Sequence, residues 1–217
     1  KVAEEGEWGR SLPKGVAQGI AIHKEYKGAS ACLVEIDTRP ETVNRKIRNA
    51  VTGPRVTRVT YAIDVGLPIN PRGLEAQMQG GINDGIALAL TSSLHLRDGH
   101  FMEGSWDNYF YTRQWNTPPE VNVIIIEDSE YPEPGGAGEV SVAAAMSAVV
   151  NAFRRATGIE PGGTGPDHLT GGQPGDLDGP VEAGVQRECD DHRLIPVPPV
   201  APATRSPWPP GCPAPCR

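Results

Sequence analysis

Between Asn70 and Leu90 the chain reads NPRGLEAQMQGGINDGIALAL. Leu74, Met78, Ile82, Ile86 and Leu90 recur at four-residue spacing and so share one face of a helix. Asn70 is a good N-cap, and Pro71 fits the first helical position. Gly80, Gly81 and Gly85 run against this pattern, because each costs roughly 1 kcal/mol relative to Ala inside a helix. Three such costs in one helix require a gain. The simplest is close approach of another backbone or of a ligand.

The segments around this helix read as strands. GVAQGIAIHKEY (Gly15 to Tyr26) and SACLVEIDT (Ser30 to Thr38) form two strands joined by a short KGA turn. RPETVNRKIRNAVTGP is expected to be an exposed loop. In VTRVTYAIDVG, Val59, Tyr61, Ile63 and Val65 alternate with smaller or polar neighbours, so one face of that strand points inward. SSLHLRDGHFMEGSW predicts two strands turning at Asp98-Gly99. EVNVIIIED (Glu120 to Asp128) predicts a strand buried on both faces or nearly so. A second helix is expected after Glu139, capped by Ser141, with Met146, Val149, Val150 and Phe153 inward and Gly158 as its stop. The fold class is α+β, with mixed sheets and helices packed on them.

Past Gly158 no period survives, and the remainder carries more than half of the chain's 22 prolines. Residues 1–158 are expected to be one domain and 159–217 a disordered Pro/Gly-rich tail. The net charge of −7 argues against a nucleic-acid binder, which carries a basic patch or stripe. The longest apolar run, Val140 to Val150, is too short to cross a bilayer and is broken by serines. The N-terminus has no signal-peptide pattern and no initiator Met, so the chain is expected to be a fragment or a processed piece, and its compartment, cytoplasmic or periplasmic, is not readable. Cys32, Cys189, Cys212 and Cys216 form no paired CxxC motifs, and the five histidines are scattered, so no metal-ligand set is predicted. Cys32 reads as a buried free thiol.

Two side chains stand out chemically. EPGGAGE puts a single carboxylate, Glu139, between a glycine loop and a helix. A glutamate there is ordinarily a favourable charge on the helix dipole. It suits a general base if the loop lets a ligand come close and partial burial raises its pKa. Gln77, beside Gly80 and Gly81, can donate and accept through one amide, or can simply face solvent. WDNY (Trp106 to Tyr109) with Arg113 reads as a packed polar corner, and Asp64 as a turn residue. P-loop, GxSxG and HExxH motifs are absent.

In their order, GVAQGIAIHKEY, AIDVGLPINPRGLEAQMQGGINDGIALAL, EGSWDNYFYTRQWNTPPEV and EPGGAGE followed by a helix to Ala156-Thr157-Gly158 resemble the molybdopterin-binding large subunit of the xanthine dehydrogenase/aldehyde oxidase family. The likeness is greatest to bacterial isoquinoline 1-oxidoreductase-like and xanthine dehydrogenase-like subunits and covers roughly residues 1–158. It implies part of the second molybdopterin-binding domain. It implies Glu139 as the catalytic base beside the molybdenum, and Gln77, Gly80, Gly81, Gly136 and Gly138 as cofactor-binding. The implied cofactor is molybdopterin, as such or as its cytosine dinucleotide. The implied partners are a subunit carrying iron–sulfur clusters and, in some relatives, a FAD subunit. The implied reaction is oxidative hydroxylation of an N-heterocycle or aldehyde, with water as oxygen source. CoA-thioester reduction and carbon monoxide oxidation are minor alternatives on the same fold. A non-catalytic fragment that only packs with partner chains is the alternative of another class.

Relatives are much longer, so the remaining cofactor loops are expected upstream of Lys1, and this piece alone is expected to be inactive. The tail after Gly158 resembles nothing in the family, and a frameshift in a GC-rich gene would produce such a mixture. Sequencing across the codons near Gly158 is expected to reveal the frame change; an intact frame disproves it.

Overall fold

The computed structural model describes residues 1–25, 27–48 and 50–159. The expectation of a disordered tail, and with it Cys189, Cys212 and Cys216, lies outside the described residues. The elements in chain order are α1 (Val2–Glu5), β1 (Val16–Glu25), β2 (Gly28–Asp37), α2 (Pro40–Val43), β3 (Arg55–Asp64), α3 (Pro71–Leu90), β4 (Leu96–Arg97), β5 (His100–Phe101), β6 (Glu120–Ile125) and α4 (Val140–Thr157). This is the mixed α+β arrangement that the sequence predicts. A four-stranded sheet runs β1-β2-β3-β6, and β4 and β5 form a separate small hairpin. The first two pairings are antiparallel, whereas β6 joins β3 in parallel after a crossover that contains α3.

Helices α3 and α4 cover one face of the sheet. Cys32, Val34, Val59, Tyr61 and Ile63 point to that face and are fully buried, meeting Met78 and Ile82 from α3 and Ala145, Ala148 and Val149 from α4. Burial pushes both the Cys32 thiol and the Tyr61 phenol well above their ordinary pKa values. Small residues set the spacing. A Cβ on Gly19 of β1 would lie 2.2 Å from the carbonyl oxygen of Ala148, so α4 rests almost directly on that strand. The opposite face carries a smaller cluster of Val2, Leu33 and Ala62 beneath α1.

Local rules account for the ends of both long helices. The Asn70 side chain accepts from the Gly73 N–H at 3.0 Å, satisfying one of the orphan donors of the first turn of α3. Gly158 stops α4 in the left-handed conformation at φ 76°, which only glycine adopts without strain. The Asp98-Gly99 turn has positive φ at both residues, as a tight hairpin demands. The first hairpin is not closed over KGA, because Gly28 and Ala29 already pair with Glu25 and Lys24.

Four expectations need correction. The 39–54 segment is not a plain exposed loop. It contains α2, buries Val43, and is tied down by Arg45, which donates to the carbonyls of Thr42 and Gly53 and to the Asn116 side chain. Strand β6 is a half-buried edge strand, with Glu120 and Asn122 exposed, because among the described residues only β3 pairs with it. Helix α4 starts at Val140 with Glu139 at the N-cap, so Ser141 lies inside the first turn, wholly buried. Met146 and Val150 only flank the inward face of α4, which is instead built from Val140, Ala144, Ala145, Ala148, Val149, Ala152 and Phe153.

The glycines of α3 divide into two kinds. A Cβ on Gly85 would lie 2.6 Å from the Val142 carbonyl oxygen and 2.9 Å from the Ala145 Cβ. One on Gly81 would lie 2.1 Å from Ser141 Oγ, whereas one on Gly80 would meet nothing within 4 Å. Gly85→Ala is therefore expected to destabilise the protein by about 1–3 kcal/mol through overpacking. Gly80→Ala should stabilise it by about 1 kcal/mol through helix propensity. Urea unfolding of the two variants checks the opposite signs.

Candidate active site

The first wall of the site is the exposed side of α3. Gln77, Gly80, Gly81, Asp84 and Leu88 follow one another at short steps along that helix and share a strip of it. The second wall is the start of α4, with Glu139, Val142, Ala143 and Met146. His23 and Glu25 come from β1, and Trp106, Tyr109 and Tyr111 from the segment after β5. Together these residues line an open cavity of about 1290 Å³.

The glycine loop that carries Glu139 is fixed from behind. The Gly135 N–H donates to the Val65 carbonyl at 2.7 Å, and Gly66 bridges to Pro134. Gly66 itself has φ 70°, and a Cβ there would lie 2.1 Å from the Glu133 carbonyl oxygen. The loop therefore lies flat across the C-terminal end of β3. From the front, the Gln77 amide donates to the Gly138 carbonyl at 2.6 Å, which links α3 to the loop. That bond separates the main cavity from a smaller one of about 400 Å³ lined by Asn70, Leu74, Pro134 and Ala137, and Gln77 and Gly138 face both.

Glu139 sits at the N-cap of α4 with φ −125°, yet its carboxylate makes no capping hydrogen bond. The usual reason for an acidic residue there is thus only partly met: the charge can act on the helix dipole, but its oxygens are not consumed by the first-turn N–H groups. They remain available at the cavity.

Of the six residues singled out from sequence, Gln77, Gly80, Gly81, Gly138 and Glu139 line the same cavity. Gly81 also packs against Ser141. Gly136 lies outside the lining, with its carbonyl oxygen 3.6 Å from the Cβ position of Gly28 at the tip of the β1–β2 hairpin.

Sequence reasoning missed His23, Glu25 and Asp84, and gave the aromatic segment no role beyond a corner. Trp106 meets Tyr111 edge-on with ring centroids 5.6 Å apart, and Tyr109 at 6.1 Å. The Arg113 guanidinium stacks 4.2 Å from the Tyr111 ring centre and donates to the Trp106 carbonyl. Two signals for the missed residues were present. Asp84 is seven residues beyond Gln77 on one helix face, and His23 and Glu25 share strand parity with Gly19.

A profile of the molybdopterin cofactor-binding domain matches residues 3–118. The chain is 29% identical over 160 residues to the beta subunit of isoquinoline 1-oxidoreductase from Brevundimonas diminuta, covering 72% of this chain and 19% of that one. It is 25% identical over 152 residues to a nicotinate dehydrogenase subunit of Pseudomonas putida, covering 67% and 12%. Among solved structures, the aldehyde oxidoreductase of Desulfovibrio desulfuricans superposes with a TM-score of 0.52 at 18% identity, over 65% of this chain and 15% of that one. The CO dehydrogenase of Oligotropha carboxidovorans gives 0.50 at 19% identity, over 65% and 18%. At these identities the structural likeness speaks for the fold alone. The chain spans about a fifth or less of the length of these curated relatives.

Replacing Gln77 by Ala removes the bond across the loop, worth about 0.5–1.5 kcal/mol. Hydrogen exchange of the 135–139 backbone amides is expected to quicken in this variant while the sheet amides keep their protection. Unchanged loop protection would show that the hold from Val65 suffices.

Proposed function

The chain belongs to the molybdopterin cofactor-binding domain family, and from that premise we propose that it is the Glu139-bearing part of a molybdenum hydroxylase subunit. The observation that carries this reading is the convergence of Gln77, Gly80, Gly81, Gly138 and Glu139 on one cavity of about 1290 Å³. Because the chain spans only about a fifth of its curated relatives, the activity belongs to the whole protein.

The residues present suit the cofactor. Gly80 and Gly138 have no heavy atom within 4 Å of their Cβ positions, so two opposed backbone stretches are open to a bulky planar group. The Gln77 amide gives one of its two N–H groups to the Gly138 carbonyl. Its oxygen keeps acceptor capacity for a cofactor N–H. When bound, the molybdenum cofactor supplies a centre that accepts two electrons from the carbon being oxidised.

Within that frame the chain's own groups have separate tasks. The Glu139 carboxylate takes the proton from the water that provides the oxygen, which requires it ionised and free of capping bonds. Trp106, Tyr109 and Tyr111 give the substrate an aromatic wall, which suits a planar N-heterocycle or an aryl aldehyde.

The cofactor form is proposed to be the cytosine dinucleotide. Electrons are proposed to leave to an iron–sulfur subunit, with a FAD subunit as a further carrier. Cys32, the one cysteine among the described residues, is buried with its thiol protonated and suits no cluster.

The test uses the mature complex. Glu139→Gln is expected to keep molybdenum and pterin at wild-type stoichiometry and to lose turnover by about 10²–10⁴-fold. If the mature wild-type complex contains neither metal nor pterin, the chain only packs with partner chains, and Glu139 is a helix-start charge.

A further inference from the structure

The β1 strand presents a second set of groups to the cavity. Gly19 is pressed against α4, and Ala21, His23 and Glu25 follow on the same face by strand alternation. The last two reach the cavity beside Glu139. His23 Nε2 lies 3.0 Å from Glu25 Oε2. The hairpin tip that holds them is tied to the glycine loop, because Lys27 Nζ pairs with Glu133 Oε2 at 3.1 Å and Gly28 lies against the Gly136 carbonyl. The tip of β1 therefore sits beside the loop that leads to Glu139.

An imidazole bonded through one nitrogen has its orientation and tautomer set, and its other nitrogen is free to read a ligand. With Nε2 donating to Glu25, Nδ1 of neutral His23 is an acceptor, and on protonation it becomes a donor. No hydrogen bond to Nδ1 is made among the described residues. The same cavity carries the edge-on Trp106–Tyr111 pair. Among the described residues its charged lining groups are Glu25, Asp84 and Glu139, with no Lys or Arg. The aromatic edges favour a flat ring.

We propose that His23, oriented by Glu25, is a specificity-determining residue that hydrogen-bonds a ring nitrogen of a neutral or cationic aromatic heterocycle seated against Trp106 and Tyr111. The inference rests on the reading of this cavity as the hydroxylase site, and it narrows the substrate class from heterocycle or aldehyde to the nitrogen heterocycle. A carbocycle of equal shape would leave the dyad unsatisfied, which is how a polar group covered by its ligand rejects an analogue lacking the partner atom.

Phthalazine and naphthalene have the same outline and differ in ring nitrogens. Equilibrium dialysis of each against the mature complex, without electron acceptor, reads the preference apart from turnover. At a pH where His23 is the imidazolium, so that its Nδ1–H donates to a phthalazine nitrogen, wild type is expected to bind phthalazine at least about ten-fold tighter, the effect of one charge-assisted hydrogen bond. His23→Leu should abolish the preference and leave naphthalene binding unchanged, while His23→Gln, which can still donate and accept, should retain part of it. Equal affinity for the two rings in wild type overturns the proposal. So does a parallel loss for both rings in His23→Leu, which would mark a merely structural role. Molybdenum and pterin content is measured on the same samples: cofactor present without a preference for phthalazine sinks only the His23 assignment, whereas absent cofactor sinks the hydroxylase reading beneath it.

Discussion

The close approach of α3 to α4 sets the dimensions of both the core and the cavity. Gly85 lets the two backbones come within contact of each other, since even a methyl group there would lie 2.6 Å from the Val142 carbonyl. A larger separation would leave Ile82 and Ile86 short of the Ala144–Ala148 side of α4 and open voids in a core that is otherwise fully buried. It would also carry Gln77 away from Gly138, because both contacts lie between α3 and the start of α4. The helix propensity lost to glycine is thus offset by dispersion contacts and by one hydrogen bond that shapes the cavity.

Much of this was legible because it is local. Asn70 before Pro71, the four-residue apolar period and Gly158 at the end of α4 are signals whose physics lies within one helical turn. The glycines announced a close contact, and Gly81 and Gly85 make one with α4. Which glycine would remain open was not readable, since the answer for Gly80 depends on where α4 passes. Strand β6 misled for a similar reason. An apolar VIII run looks the same in a central strand and in an edge strand whose one pairing partner among the described residues is β3. Ser141 was a reasonable cap by residue type, but the loop anchored at Val65 delivers the chain to the helix two residues earlier.

The candidate site was legible unevenly. Gln77 and Glu139 drew notice through the company they keep in sequence, a glycine pair in one case and a glycine loop in the other. His23 and Glu25 have no such company. Their relation to Glu139 spans more than a hundred residues and exists only because β1 pairs with β2 and α4 lies over both. The aromatic residues after β5 looked like packing, and they do pack, on one another and on Arg113. That they also face a cavity depends on α3 supplying its other side.

Ser141 has a consequence of its own. Its hydroxyl is wholly buried, makes no hydrogen bond among the described residues, and fills the space that a Cβ on Gly81 would need. The two positions therefore behave as one volume shared between two helices. A methyl group can enter at 81 only after the side chain at 141 has shrunk, so the order of substitutions matters: serine to glycine first opens a tolerable void, while glycine to alanine first meets a clash. Drift at this helix crossing therefore has a preferred order, in which position 141 changes before position 81.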